Sequence, residues 1–158
     1  MERRDFLHRS GATAVAIAAS TGLPAAHAQS AVINAAGWNK LAFDSKSMLD
    51  AAKAMGATSP PVESKDLILR APEIAENGNV VRVEAESNIA NTTQIAFLVE
   101  KNPSALAAIF DVPAGTDANV STNIKMGQSS NIFALAKAGD KYYYAVKEVK
   151  VTLGGCGG

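Results

Sequence analysis

Beyond residue 60 the hydrophobic and polar positions follow a period of two. Val81, Val83 and Ala85 alternate with Arg82, Glu84 and Glu86, as in a strand with one buried and one wet face. Val120, Ile124 and Met126 fall on one side of a second such run, with Ser121, Asn123 and Lys125 on the other. Ile95 to Val99 is apolar without interruption, which predicts a strand covered on both faces. Leu67 to Leu69 is a short apolar run closed by Ala71-Pro72, and Asn102-Pro103 ends the Ile95–Val99 strand. Leu106 to Phe110 contains an Ala-Ala pair that suits a helix as well as a strand. Asn77-Gly78 and Ala138-Gly139-Asp140-Lys141 read as tight turns. The last strand runs from Tyr142 to Leu153. Its alternation changes phase near Lys147, with Tyr144 and Val146 on one face and Val149, Val151 and Leu153 on the other, so a β-bulge is expected there. Asp44 to Met55 alone reads as a helix, with Asp44 as N-cap, Phe43 as staple and Gly56 as stop. Short strands at regular spacing with turns between them predict an all-β, antiparallel sandwich with one short N-terminal helix.

The first residues read as a targeting segment. Arg3-Arg4-Asp5-Phe6-Leu7 resembles a twin-arginine export motif, although Glu2 and His8 stand where that motif usually has Ser or Thr and Lys. An Ala-rich run from Gly11 to Leu23 is too short to span a bilayer and precedes a small-residue cleavage site, Ala26-His27-Ala28. Residues 1–28 are therefore expected to be a signal peptide, removed on export to the periplasm, and no membrane span is expected in what remains. Residues 29–153 then form one domain, long enough to bury roughly two-thirds of its unfolded surface. Twin-arginine export carries folded proteins, which suits a subunit that travels with a bound partner.

Cleavage also removes chemistry. The two histidines, His8 and His27, both leave with the leader, and Cys156 is the single cysteine. This excludes a Ser-His-Asp triad, a Cys-His pair, histidine metal sites and internal disulfides. No metal or cofactor is expected. Fifteen basic residues balance fifteen acidic ones without a basic stretch, so nucleic acid is not an expected partner.

What remains is the tail, Gly154-Gly155-Cys156-Gly157-Gly158. Glycine visits most of backbone space, so residues 154–158 are expected to be a flexible arm with one reactive atom near its tip. From Leu153 to Cys156 the arm spans at most about 10 Å. A thiol titrating near about 8.5 is only a few per cent thiolate at neutral pH. The nearest cations, Lys147 and Lys150, stand on the strand and not in the tail. Activation of Cys156 is thus expected from a partner's pocket. The glycines leave a narrow pocket room to close around the thiol.

The tail, with Val149-Lys150-Val151-Thr152-Leu153 before it, resembles the C-terminus of the SoxY family of sulfur-compound carriers. Ala71-Pro72-Glu73-Ile74-Ala75-Glu76-Asn77-Gly78, Val99-Glu100-Lys101-Asn102-Pro103 and Ile124-Lys125-Met126 resemble the same family, in order. The chain departs from it at Arg82, usually proline, at Ser104-Ala105, usually a more proline-rich turn, and at Asn123, often arginine.

The resemblance implies an immunoglobulin-like sandwich paired with a SoxZ-like subunit. It implies that Cys156 is the covalent attachment point for thiosulfate-derived sulfur. SoxAX, a haem protein, would load it oxidatively, and SoxB, a manganese enzyme, would hydrolyse off sulfate. SoxCD in some systems oxidises the remaining sulfur. The chain itself is then no enzyme.

Two other functions fit the same residues. Gly157-Gly158 also suits a carrier that holds sulfur as a C-terminal thiocarboxylate, although such carriers need ATP-dependent activation. A sandwich that only binds a partner is the third reading. Cys156 also fits an incidental or dimerising thiol. Glu84 and Glu86 share a strand face and are expected to be solvated rather than an acid pair. Lys147 and Lys150 are candidates for steadying an anionic adduct, Tyr142-Tyr143-Tyr144 for a subunit interface, and Trp38 for packing.

Overall fold

The computed structural model describes residues 39–153. Two short helices come first, α1 (Lys40–Phe43) and α2 (Met48–Ala54), and nine strands follow. The expected single helix from Asp44 to Met55 is thus two. Asp44 caps the C-terminus of α1, and the N-cap of α2 is Ser47, whose hydroxyl accepts from the Asp50 amide at 3.1 Å. Hydroxyl capping at Ser47 opens the new helix three residues beyond the carboxylate. The stop at Gly56 is as expected. Gly56 has φ +100° and donates to the Lys53 carbonyl, while Ala57 donates to that of Ala52, the paired bonds of a Schellman motif.

The strands are β1 (Val62–Glu63), β2 (Leu67–Arg70), β3 (Ile74–Ala75), β4 (Val81–Ser87), β5 (Thr92–Val99), β6 (Leu106–Asp111), β7 (Asn119–Ile124), β8 (Ser130–Ala138) and β9 (Lys141–Val151). One sheet has the order β1-β9-β8-β5-β6, with β3 also on β9; the other has the order β2-β4-β7. The two-sheet sandwich is as expected, with one difference in direction. β1 and β3 run parallel to β9, on the edge not taken by β8. Leu106–Phe110 is strand, paired to β5. The β8–β9 hairpin turns at Gly139-Asp140, where only the glycine has positive φ (+60°), the pattern of a type II′ turn.

β5 is buried on both faces, as its continuous apolar run predicts. Ile95, Phe97 and Val99 join the core between the sheets with Val81, Val83, Ala85, Ile132, Ala134 and Val149. Ala96 and Leu98 point the other way, into a second core with Leu135, Tyr142 and the helix residues Ala42, Ala51 and Ala52. The helices therefore form a third layer on the larger sheet. Full burial of each such large apolar side chain stabilises by about 1.5–3 kcal/mol.

This third layer replaces the bulge expected at Lys147. β9 pairs with β8 in unbroken register from Lys141 to Val149. Tyr142 and Tyr144 pack under the helices, while Ala145, Val149 and Val151 pack between the sheets. A strand covered on different faces at its two ends changes hydrophobic phase without a kink. The register shifts of this sheet lie in β5, between Phe97 and Leu98 and between Thr92 and Gln94.

Ser104-Ala105 helps to hold the helical layer. The Ser104 hydroxyl donates to the Phe43 carbonyl, and the Ala105 amide donates to that of Ser45 at 2.9 Å. Proline at 105 has no N–H to make the second bond. The Tyr142 hydroxyl donates to the Met55 carbonyl at 2.6 Å, closing the layer from the sheet side.

Candidate functional site

Gly154, Gly155, Cys156, Gly157 and Gly158 lie outside the described residues, as do the leader 1–28 and Trp38. The structure describes the root from which the tail departs. β9 carries the chain to Val151 with β8 on one edge, and β3 takes over the opposite edge where β1 has ended.

Residues 73–78 clasp the end of β9. The Lys150 amide donates to the Glu73 carbonyl at 2.9 Å and the Thr152 amide to that of Ala75 at 3.1 Å. The Thr152 hydroxyl donates to the Glu76 carbonyl at 3.0 Å, and the Gly78 amide donates to the Leu153 carbonyl at 2.7 Å. On the other edge the Val151 amide donates to the Ser129 hydroxyl at 2.9 Å. Gly78 is buried and also accepts from the Met126 amide at 2.7 Å, which joins the clasp to the end of β7. Asn77-Gly78 is a turn, as expected, with the Asn79 amide on Asn77 Oδ1 at 2.9 Å. It links β3 to β4 rather than two antiparallel neighbours, and its glycine amide fixes the last described residue.

The neighbouring loops meet at the same end of the sandwich. Asn102 Nδ2 donates to the Lys125 carbonyl at 2.8 Å, and its Oδ1 accepts from the Gly127 amide at 3.1 Å. Residues 71–78, 99–103 and 124–126, far apart in sequence, therefore converge around the root of the tail.

The other candidates are not brought to the root as a group. Lys147 and Lys150 lie on opposite faces of β9. Lys147 Nζ donates to the Ala71 carbonyl at 2.6 Å, which commits it to holding the chain between β2 and β3. Lys150 is exposed, opposite Ile74 in register. Glu84 and Glu86 are not an acid pair. Arg70 bonds both, at 2.7 Å each, and their carboxylates, Glu86 first, raise its pKa. Arg82 and Asn123 face each other across the β4–β7 ladder. Tyr142 and Tyr144 serve packing, Tyr144 edge-on to Phe133 with ring centres 6.0 Å apart.

A cavity of about 430 Å³ lies at the far end of the sandwich, among Ser87, Asn91, Thr92, Pro113 and Asp117. The Ser87 and Thr92 hydroxyls there bond each other at 2.7 Å. Among the described residues no group of His, Cys, Asp or Glu is placed to hold a metal ion, and no helix is long and apolar enough to cross a membrane.

The sequence pattern marks Gly78 only as part of a turn, and it gives no sign of the bonds made by Thr152 and by the carbonyls of Glu73, Ala75 and Glu76. The Thr152 and Glu76 partners are 76 positions apart, and no local pattern marks such a bond.

Comparison with protein families matches residues 51–156 to the family described as sulfur oxidation protein SoxY. Among solved structures, the sulfur carrier protein SoxY from Chlorobium limicola f thiosulfatophilum is similar at 40% identity and a TM-score of 0.58, covering 66% of this chain and 96% of that one. A chain from a structure on T cell specificity and activation by the bacterial superantigen toxic shock syndrome toxin-1 aligns at 16% identity and a TM-score of 0.36, covering 54% of this chain and 98% of that one. Comparison with curated proteins returned no match.

Proposed function

The chain belongs to the SoxY family, and on that premise we propose that it is a covalent sulfur carrier, holding sulfur intermediates on Cys156 for separate enzymes. The observation that carries this reading is the reach of the family match. It runs to residue 156, the cysteine itself, three residues past a carbonyl fixed by the Gly78 amide. A firm root and a glycine tip suit a thiol that must enter other proteins' pockets.

In this reading thiosulfate is joined through its outer sulfur to Cys156 Sγ. The thiol gives up its proton and two electrons pass to a SoxAX-type haem partner, leaving a cysteine S-thiosulfonate. A SoxB-type hydrolase adds water across the terminal S–S bond, releasing sulfate and leaving a persulfide. A SoxCD-type enzyme, where present, oxidises that remaining sulfur. The chain contributes the attachment atom and its presentation, and the partners contribute the catalysis. Ordering each arm residue in a partner's pocket costs roughly 1–2 kcal/mol, which keeps docking reversible.

The proposal extends to export. Residues 1–28 direct the folded protein to the periplasm by the twin-arginine route, bound to a SoxZ-like subunit. Deleting them should leave both proteins in the cytoplasm; a partner exported normally without them refutes the joint journey.

Intact-mass analysis after exposure to thiosulfate and the loading enzyme tests the carrier role. The adduct is expected on Cys156 and absent from Cys156→Ser. An adduct on the Gly158 carboxylate would support the thiocarboxylate reading instead. Substrate-dependent activity that survives Cys156→Ser would leave only a binding subunit.

A further inference from the structure

Seven large hydrophobic side chains are well exposed among the described residues: Leu41, Leu49, Val62, Ile74, Val80, Val146 and Leu153. Three of them belong to the root of the tail. Ile74, 58% exposed, is opposite Lys150 in the β3–β9 register. Leu153, 61% exposed, has its carbonyl on the Gly78 amide, and Val80, also 61% exposed, follows two residues after Gly78. None of the three belongs to either core. The backbone that carries them is fixed all the same, by the clasp on β9 and by the Met126–Gly78 bond. Exposed polar groups surround them: Glu73, Glu76, Asn77, Asn79 and Lys150. Apolar side chains on a rigid platform, framed by polar ones, have the make-up of a recognition surface.

The length of the tail says what covers it. The backbone of Cys156 lies at most about 10 Å along the chain from Leu153. Any enzyme that closes a pocket around Cys156 therefore brings its own surface against the root. We infer that Ile74, Val80 and Leu153 form the docking rim on which partner enzymes seat the mouth of the pocket that receives the tail, and that this mouth is apolar around an anion-reading interior. The inference rests on the carrier reading and assigns it a recognition surface. The adduct is read inside the pocket, while the rim supplies affinity common to every enzyme that shares the carrier.

The test uses protein loaded without an enzyme. The Cys156 thiolate attacks an inner sulfur of tetrathionate, forming the S-thiosulfonate and expelling thiosulfate; no external oxidant is needed. Sulfate release by the hydrolase is then measured against carrier concentration. Ile74→Asp and Val80→Asp should each raise KM about tenfold, the worth of roughly one buried side chain of this size, with kcat unchanged. Val62→Asp is the control. Val62 is equally exposed at 61% but pairs with Tyr143, eight residues up β9 from Val151 and roughly 25 Å away along the strand. It should leave KM unaltered.

An unchanged KM in both rim variants, with melting temperatures that match the parent, overturns the inference. So does an equal rise in Val62→Asp. If a rim variant leaves KM alone but converts a dimer to a monomer in sedimentation, the rim is a self-association surface. If it leaves KM alone but changes the alkylation rate of Cys156 in the isolated protein, the rim is a seat for the tail; either result refutes enzyme docking. Failure of the carrier reading looks different, because Cys156→Ser would then retain substrate-dependent turnover.

Discussion

The Gly78 amide donates to the carbonyl of Leu153 at 2.7 Å, so a buried turn glycine fixes the last described residue before the glycine–cysteine tail. The Thr152 hydroxyl on the Glu76 carbonyl supports the same junction from the side chain. Both bonds hold the chain at the point where the described residues end.

Thr152→Val keeps the shape of the side chain and removes its donor. A net hydrogen bond is worth about 0.5–1.5 kcal/mol. Amide exchange at Lys150 and Thr152, whose N–H groups bond Glu73 and Ala75, should quicken by up to about tenfold while the melting temperature barely moves. Unaltered exchange would show that the backbone bonds alone hold the root.

Gly155→Ala and Gly157→Ala should spare folding, since both described cores are built from residues within 39–153. Turnover with the partner enzymes should fall by about ten- to hundredfold, the usual cost of small misplacement at a reacting centre. Alkylation of Cys156 by a small reagent should be unaffected. Kinetics equal to the parent would refute a close-fitting pocket.

Adjacent residues of β5 stabilise different layers. Phe97→Ala removes an inter-sheet side chain and should cost about 3–5 kcal/mol in a denaturant melt. Leu98→Ala opens a cavity under the helices and should cost about 2–5 kcal/mol. Only Leu98→Ala should also expose α1 and α2 to early proteolysis. Equal susceptibility of the two variants would contradict the three-layer arrangement.

Burial raises the pKa of the Tyr142 phenol above its ordinary value of 10.0, since the anion is the form penalised. The folded state therefore keeps its proton at a pH where the unfolded chain has begun to lose it. This contribution to stability is full below the ordinary value and is lost as pH rises through the folded one. Stability measured by equilibrium unfolding should fall above about pH 10. Tyr142→Phe should flatten that dependence and lower stability at neutral pH through loss of the bond to Met55. A parent protein with stability level across this range would refute the assignment.

Local pattern carried the strands of the sandwich because a sheet face repeats every two residues. Val81, Val83 and Ala85 are inward in the structure as in the sequence, and Ile95 to Val99 is covered on both sides. The tail was legible for another reason: one thiol among glycines is a chemical statement that needs no fold. Where local signals compete, the structure decided. Ser47 prevailed over Asp44 as the cap of α2 once α1 had claimed Asp44.

The phase change in β9 was visible in the sequence, but its cause was not. A bulge and a second covering layer write the same pattern, and only the packing of Tyr142 and Tyr144 under α1 and α2 separates them. The clasp was hidden more deeply, since residues 73–78 bind β9 through backbone groups that every sequence possesses. The sequence alone determined the sandwich strands, the lone thiol and the absence of histidine chemistry beyond residue 28, because composition and period encode them. Tertiary structure decided the helical layer, the clasp and the exposed rim of Ile74, Val80 and Leu153, because each depends on which distant backbone a residue meets.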